Sequence, residues 1–366
     1  MIRKIGMVAA LAGGATAAHA GGIERTTQSV NVLFEEGRYL EFGATFGSVD
    51  ISGIGPNATL TGLANTGDIA DSFFDVSAAF KADINETWSY AIIYDQPFGA
   101  DVAYPGATGH LFQGSNATFN SNALTGLLQY NAGNGFSVHG GLRAQTIDAE
   151  VELPFAAYTA EGDRELNFGY VAGVAYERPE IALRVALTFN SSIDYDLETT
   201  EFVGAVGPIP SDTNIETPQS VNLEFQTGVA EDTLVFGSIR WVEWTAFSVD
   251  PQTFATSIST NDRALVDFLD NRTTFNLGVG RRLNENWSIL GSVTYEDSTG
   301  STTGNLAPTD GQRAIGIGAI YRKDNMRITG GVRYIDIGDA TSAAPINGQF
   351  TDSSAVVAGV RVGYSF

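Results

Sequence analysis

The chain has 366 residues, including 42 glycines and no cysteine, and 43% of its residues are hydrophobic. A chain without cysteine cannot form disulfides, use a catalytic thiolate or hold a metal through cysteine. Its 42 acidic residues against 20 lysines and arginines give a net charge of −22, which excludes nucleic acid as a partner because phosphates would be repelled.

The first twenty residues have the pattern of a secretory signal peptide. Arg3 and Lys4 form a positive n-region, an apolar stretch runs from Ile5 to Ala18, and Ala18-His19-Ala20 matches an A-x-A cleavage site. No run of about 18 or more apolar residues is present, so a membrane-spanning helix is not predicted. The pattern predicts an exported protein.

From residue 38 onward, apolar residues alternate strictly with small or polar ones, which is typical of β-strands. In residues 181–190, for example, Ile, Leu, Val, Leu and Phe alternate with Ala, Arg, Ala, Thr and Asn. The second face carries mostly glycine, alanine, serine, threonine and asparagine, with about one charged residue per strand. This pattern favours a lipid-facing apolar surface around a lumen lined by small residues.

Fourteen such segments are predicted as strands, with connections that alternate between short turns and long loops. The segments are Arg38–Ile51, Phe73–Ala82, Thr87–Gln96, Ser121–Tyr130, Phe136–Leu153, Glu165–Tyr176, Ile181–Glu198, Gln219–Val229, Thr233–Thr245, Arg272–Arg282, Trp287–Glu296, Gln312–Arg322, Met326–Gly338 and Ser354–Phe366. Every backbone donor must be paired in hydrocarbon, so the sheet has to close. The predicted fold class is all-β, a 14-stranded antiparallel transmembrane β-barrel.

Three stretches carry a resemblance to a known family. They are Tyr94 to Tyr104 (YDQPFGADVAY), Trp241 to Phe247 (WVEWTAF) and Thr309 to Arg313 (TDGQR). Together they resemble the outer-membrane long-chain fatty-acid transporters, a family that also includes toluene-uptake channels. The resemblance runs from about Val30 to Phe366.

The resemblance implies a monomeric barrel that captures hydrophobic molecules with its outer loops and passes them through an apolar lumen pocket. It further implies a lateral exit at a kink in the third strand, where Pro97, Phe98 and Gly99 stand. Proline removes a ladder donor and glycine lets the backbone turn away from its neighbour. The alternative is that Pro97 simply ends the third strand before a loop.

The resemblance also implies an N-terminal plug, expected at residues 21–37, between the signal peptide (1–20) and the barrel (38–366). This segment has only 17 residues and lacks the Asn-Pro-Ala motif of the family, whose place is held by Ser29-Val30-Asn31. Because so short a plug does not ensure a filled lumen, inward-folded loops are the alternative means of closing it.

Alternation turns several arginines toward the lumen, and Arg143, Arg184 and Arg240 lie deep along their strands. An arginine in a low-dielectric cavity is held by a carboxylate of the protein or of a ligand. Two interpretations follow. The arginines form interstrand salt bridges with lumen carboxylates, or they bind the head group of a fatty acid.

Five apolar side chains also take the lumen side, which is unusual for a water-filled porin and predicts an apolar pocket. They are Ile93, Leu127, Phe236, Val242 and Trp244. In the loop that follows, the spacing of residues 261–269 predicts a short amphipathic helix. An outer capture surface is predicted from Phe254, Leu265, Phe268 and Leu269, and the alternative is a lid packed on neighbouring loops.

No G-x-S-x-G or H-E-x-x-H motif is present, so an enzyme, a metal site and a cofactor are not predicted. The expected function is passive uptake of hydrophobic molecules, with long-chain fatty acids first and aromatic hydrocarbons as the alternative. A structural or adhesive barrel with a blocked lumen is a second class. Expected partners are these molecules, the lipid and lipopolysaccharide of a Gram-negative outer membrane, and the barrel-assembly machinery that reads a terminal Phe such as Phe366.

Overall fold

The computed structural model describes residues 22–259 and 263–366, so the predicted signal peptide at residues 1–20 lies outside the described part of the chain. Within these ranges, no helix is both long and apolar enough to cross a membrane. The helical pieces are short, at Asn31–Phe34, Pro154–Ala156, Pro179–Ile181, Trp244–Ala246 and Phe254–Ile258.

The strands, numbered in chain order, are β1 (Tyr39–Asp50), β2 (Gly53–Pro56), β3 (Leu63–Asn65), β4 (Phe73–Asp83), β5 (Trp88–Asp95), β6 (Gly99–Ala103), β7 (Asn116–Gly133), β8 (Phe136–Leu153), β9 (Tyr158–Arg178), β10 (Leu183–Asn190), β11 (Ile193–Val203), β12 (Val206–Thr217), β13 (Ser220–Ala230), β14 (Thr233–Val242), β15 (Ser248–Val249), β16 (Val266–Asp267), β17 (Arg272–Arg282), β18 (Trp287–Glu296), β19 (Gln312–Lys323), β20 (Met326–Ile337), β21 (Ala340–Thr341), β22 (Gln349–Phe350) and β23 (Ser354–Ser365).

Fourteen strand positions form one closed antiparallel barrel. Their order around the wall is β1, β4, β5 with β6, β7, β8, β9, β10, β13, β14, β17, β18, β19, β20 and β23. The last strand pairs back onto the first along its whole length, from Tyr39 opposite Ser365 to Asp50 opposite Ser354. The predicted 14-stranded barrel is therefore confirmed, and closure leaves no free edge at this junction.

The outer surface of the wall is apolar because alternate residues of each strand point outward. Leu142, Phe168 and Ile317 are 67%, 63% and 73% exposed there. At the rim with the short turns, Trp88 packs on Tyr130 of the neighbouring strand with ring centroids 4.9 Å apart. Such aromatic pairs at the edge of an apolar band are typical of a membrane interface.

One side of the barrel is much taller than the other. β7 and β8 have 18 residues each and β9 has 21, whereas β13 and β14 have 11 and 10. About 9–11 residues suffice to span a bilayer. The tall strands therefore continue above the membrane at the rim with the long loops, which is called the outer rim below.

Several predicted boundaries are wrong on this tall side. The expected loop at residues 154–164 is mostly strand β9 with a tight turn, and the single strand expected over Ile181–Glu198 is interrupted after Asn190. The expected loop at residues 199–218 is mostly the β11–β12 hairpin, which pairs with the outer end of β9. Alternation continues past the membrane because these strands also bury one face, so sequence periodicity does not mark where lipid ends.

The amphipathic helix expected over residues 261–269 is not present in its described part. Val266 and Asp267 instead form strand β16, which pairs with β15, and residues 260–262 lie outside the described ranges. Leu265 is buried, and Phe268 packs on Trp244, so the two side chains have different neighbours. Packing of both faces of this segment overrides the helical spacing of its sequence.

The N-terminal segment, residues 22–37, contacts inward-facing side chains of the wall. Its residues Val32, Leu33 and Phe34 are buried in a cluster that includes Ala79 of β4 and Leu127 of β7. Buried arginines and carboxylates on the strands pair with its polar groups, as described below. The segment is therefore attached to the inner face of the barrel at many points.

Candidate functional site

The third strand position of the wall is broken in two. β5 ends at Asp95 opposite Ala123, and β6 begins at Gly99 opposite Asn120, so three residues oppose two at a bulge. On the other side, β4 pairs with β5 only from Ala78 onward. Residues Phe73–Ser77 of β4 and β6 therefore do not pair, and this opening is called the lateral gap.

The backbone groups at the break have other partners. The carbonyl of Pro97 accepts hydrogen bonds from the amides of Arg25 (2.8 Å) and Thr26 (3.3 Å) in the N-terminal segment. Ser121 Oγ accepts a bond from the Phe98 amide (2.8 Å) and donates one to its carbonyl (2.7 Å). Because buried backbone groups are satisfied in this way, the break is a stable feature of the wall.

The lateral gap is lined mainly by polar side chains. Three carboxylates belong to it, Asp71, Asp75 and Asp101, together with the single guanidinium of Arg25. Arg25 is 5% exposed and forms an ion pair of 3.0 Å with Asp101. Formal charge at the gap is therefore negative.

Next to the gap, toward the outer rim, lies an apolar cavity. Its wall is formed by β6, β7, β8, β9, β11 and β12, where small residues such as Ala100, Ala149 and Gly162 leave room. Phe247 and Leu265 of the loop after β14 cover it. Its one charged lining residue in the described chain is Glu150.

The volume of the apolar cavity is about 60 Å³. An engineered apolar cavity that binds benzene measures about 150 Å³. A molecule of that size therefore has to displace lining side chains as it passes through, which suits transient passage better than tight storage.

The apolar cavity belongs to a continuous series of four spaces. An outer groove between the loops, lined by Phe112, Phe155 and Phe254, shares Leu265 and Leu306 with the apolar cavity. An inner cavity shares Leu306, Ile23, Ala100, Val102 and Ala307 with the apolar cavity. The inner cavity in turn shares Arg25, Asp71, Phe73, Gly99 and Asp101 with the lateral gap.

The residues expected at the lateral exit and the capture surface lie along this series. Pro97 and Phe98 form the bulge, and Gly99 begins β6. Phe254 lines the outer groove, and Leu265 separates the groove from the apolar cavity. Of the other two residues expected at the capture surface, Phe268 packs on Trp244 at 5.0 Å between ring centroids, and Leu269 is half exposed.

The five residues expected to form a lumen pocket do not come together in one cavity. Val242 and Trp244 belong to the buried cluster with Phe98 and Phe247 that adjoins the apolar cavity. Leu127, with Ile93 at the edge of the cluster, packs around the N-terminal segment nearer the short-turn rim. Phe236 is buried on β14 but is in neither cluster.

Arg143, Arg184 and Arg240 all contact protein groups. Arg143 donates to Thr125 and Asn190 at 3.0 and 3.2 Å. The other two bind the N-terminal segment: Arg184 donates to Asn31 Oδ1 (2.7 Å), and Arg240 forms an ion pair with Glu24. None of the three lines the apolar cavity.

Sequence reasoning missed Arg25 and Glu24 of the N-terminal segment. Strand alternation, which assigned the lumen side elsewhere, does not apply to a segment without strands. The available signal was the adjacent opposite charges of Glu24 and Arg25, in a stretch expected to lie among lumen arginines and aspartates.

Comparisons with known proteins agree with this geometry. The family model described as outer membrane protein transport protein (OMPP1/FadL/TodX) matches residues 6–366. The crystal structure of a Pseudomonas aeruginosa FadL homologue superposes with a TM-score of 0.75 at 13% identity, covering 97% of this chain and 100% of that one. The Pseudomonas putida toluene transporter TodX gives 0.66 at 14% identity, covering 97% and 98%.

A third similar structure is the Ralstonia pickettii toluene transporter TbuX, with a TM-score of 0.63 at 13% identity, covering 92% of this chain and 91% of that one. At such low identities the likeness to solved structures establishes the fold alone. No curated protein sequence matches the chain.

Proposed function

We propose a transport route and a cargo for this chain on the premise that it belongs to the outer membrane transport protein family (OMPP1/FadL/TodX), whose model matches residues 6–366. Proteins of this family are channels for hydrophobic compounds in the outer membrane of Gram-negative bacteria, not enzymes. The chain is accordingly an outer-membrane channel of this kind.

The proposed route begins in the outer groove, passes between Leu265 and Leu306 into the apolar cavity, and leaves through the lateral gap. The observation that carries it is the unbroken sharing of lining residues between the four spaces. A lateral exit also suits a hydrophobic molecule, because it reaches the hydrocarbon layer without crossing water.

The proposed cargo is an uncharged hydrophobic molecule, with aromatic hydrocarbons as the leading class. No basic side chain lines the apolar cavity in the described chain, and its single charged lining residue, Glu150, is exposed. At the lateral gap, Asp71, Asp75 and Asp101 outnumber Arg25. An anionic head group that leaves through the lateral gap meets this excess of negative charge, whereas an uncharged molecule does not.

Long-chain fatty acids, which the sequence resemblance predicts, are the second candidate cargo. The specific observation in their favour is that the apolar cavity joins the inner cavity, which Arg25 lines. The acyl tail of a fatty acid then lies in apolar surroundings while its carboxylate lies near a guanidinium. Capture of the head group by Arg143, Arg184 or Arg240 stays a prediction.

We also propose that residues 1–20 are removed on export and that residues 21–37 act as the plug of a monomeric barrel in contact with outer-membrane lipid and lipopolysaccharide. Support for the plug comes from the described part of the segment, whose Asn31 contacts Arg184 and Glu224 inside the barrel. Recognition of Phe366 by the assembly machinery remains a proposal from the sequence.

Filling the apolar cavity tests the route. Ala149→Trp places an indole among the cavity-lining residues of β8. We expect uptake of a radiolabelled aromatic hydrocarbon, in cells lacking their own channel, to fall at least fivefold. The matched control is Ala144→Trp on the lipid-facing side of the same strand, which is expected to leave uptake unchanged.

Equal uptake by both variants and the wild-type chain, with all three folded in the outer membrane, would contradict the route. Absence of uptake by the wild-type chain for both hydrocarbons and fatty acids would instead favour the structural or adhesive barrel.

A further inference from the structure

Arg25 of the N-terminal segment contacts both strands that border the lateral gap. On the β6 side, its Nε donates to the carbonyl of Gly99 (3.0 Å) and its Nη2 pairs with Asp101 (3.0 Å). On the β4 side, its guanidinium carbon lies 3.9 Å from the ring centroid of Phe73. A side chain of the N-terminal segment, which is not part of the barrel wall, thus connects two wall strands that do not pair with each other.

The charges around Arg25 come from both borders of the gap. Asp75 of β4 and Asp101 of β6 both interact electrostatically with its guanidinium. Without that positive charge, the two strands would face each other with like charges across the gap, which repel each other.

Arg25 also stands where three spaces meet. It lines the lateral gap, the inner cavity and a polar cavity on the lumen side that includes Glu41 and Arg361. Its position therefore affects both the width of the gap and its separation from the water-accessible lumen.

We propose that Arg25 is a positioning residue that clamps β4 to β6 and sets the width of the lateral gap. The clamp rests on the proposed function, because the gap is the proposed exit. The guanidinium suits this role since its planar fork binds a carboxylate and a carbonyl while its face stacks on an aromatic ring.

The clamp is tested by measuring the width of the gap directly. The native chain has no cysteine, so Phe74→Cys on β4 and Asn120→Cys on β7 give two unique spin-label sites on the outward faces beside the gap. We expect Arg25→Gln to lengthen the label-to-label distance by several ångströms and to broaden its distribution. Arg25→Lys, which keeps the charge but not the fork, is expected to lie between.

The matched control is Arg327→Gln. Arg327 is a buried arginine that holds the same N-terminal segment through Glu35, away from the lateral gap. We expect this variant to keep the wild-type distance. In planar bilayers, Arg25→Gln is expected to raise ion conductance severalfold over the wild-type chain, and Arg327→Gln is not.

An unchanged distance in Arg25→Gln would overturn the clamp, as would an equal lengthening in Arg327→Gln, which would assign the effect to the segment as a whole. A lengthened distance in Arg25→Gln alone supports the clamp even if the wild-type chain takes up no hydrophobic molecule, a result that would count only against the proposed function.

Discussion

At the scale of single residues, side chains replace some of the missing strand partners where the barrel wall is broken. Ser121 bonds both backbone groups of Phe98, and Gln96 Oε1 accepts from the amide of Val76 (2.9 Å) beside the lateral gap. At Phe98 a polar residue is required because an unpaired buried amide costs about 1–3 kcal/mol, whereas the bond to the Val76 amide is exposed. The sequence predicted a strand that begins at Ser121 but did not reveal this pairing.

Outside the membrane-spanning strands, Asp310 is the clearest example of a side chain that bonds backbone groups in place of a strand partner. Its carboxylate accepts bonds from the Gly300 amide (2.8 Å), from Ser298 Oγ (2.7 Å) and from Arg272 Nη1 (2.7 Å). Burial alone raises the pKa of this carboxyl, but these donors together lower it below its ordinary value. The family-like stretch that begins at Thr309 thus contains the residue that joins the loop to the start of β17.

We expect Asp310→Asn to lower the free energy of unfolding by about 3–5 kcal/mol, because the buried Arg272 loses its counter-charge. The folded-state pKa lies below the unfolded one, so the wild-type advantage is full above about pH 4 and is lost as the pH falls through the folded pKa. Denaturant titrations of both proteins across this range measure the difference.

The control for Asp310→Asn is Asp297→Asn, an exposed aspartate in the same loop. We expect it to change stability by less than about 1 kcal/mol. If Asp297→Asn were as damaging as Asp310→Asn, the effect would belong to the loop in general and not to the buried ion pair.

At the scale of elements, the sequence predicted what depends on alternation and failed where alternation has another cause. The fourteen positions and their lipid-facing sides follow from local residue patterns, whereas the kink at Pro97 was implied by the family resemblance, with a simple strand end as the alternative. The outer ends of β7, β9 and β11 did not, because their polar sequence is typical of loops and only their pairing with neighbouring strands distinguishes them. The short β6 was also missed, since only its pairing with β7 distinguishes it from a loop.

The candidate site was harder to predict for a related reason. Alternation along a strand indicates which face of the wall a side chain lies on, but not how far along the barrel axis it lies. Ile93 and Val242 were therefore grouped in one pocket although they belong to separate clusters. The cavity is lined by residues from six strands and two loops, among them alanines and a glycine that carry little signal in a glycine-rich chain.

Deleting Pro97 tests the importance of the bulge. Without the extra residue, two residues face two across β7, and the third strand position can run straight from β5 into β6 with its pairing to β7 kept. We expect the barrel to form, the lateral gap to narrow and hydrocarbon uptake to fall at least tenfold. Uptake is measured in intact cells, and heat-modifiable migration on gels, in which unheated folded barrels migrate differently from heated ones, reports the folded barrel.

A deletion within the β8–β9 turn, at Ala157, is the matched control because it shortens the chain by one residue away from the lateral gap. Retained uptake in the Pro97 deletion, with the gap shown closed, would mean that cargo leaves the barrel elsewhere.

At the scale of the whole molecule, net charge acts on the approach of cargo before any contact is made. The formal charge of −22 gives the chain a negative long-range potential that slows the encounter with anions and is screened by salt. Uncharged molecules are not subject to this effect.

Raising ionic strength from about 10 mM, where the Debye length is about 30 Å, to 150 mM is therefore expected to increase the uptake rate of a long-chain fatty acid severalfold and to leave that of an aromatic hydrocarbon unchanged. Initial rates in vesicles containing the purified protein provide the measurement. Equal salt responses for the two cargoes would show that charge does not select between them.

The N-terminal segment precedes β1, and β1 closes the barrel by pairing with β23, which is made last. Residues 22–37 are thus synthesised before any of the wall that later surrounds them. For the segment to lie inside, it has to be in place before the first and last strands join. Closure of that junction therefore has to follow insertion of the segment, and a barrel without β23 would leave this early stretch uncovered.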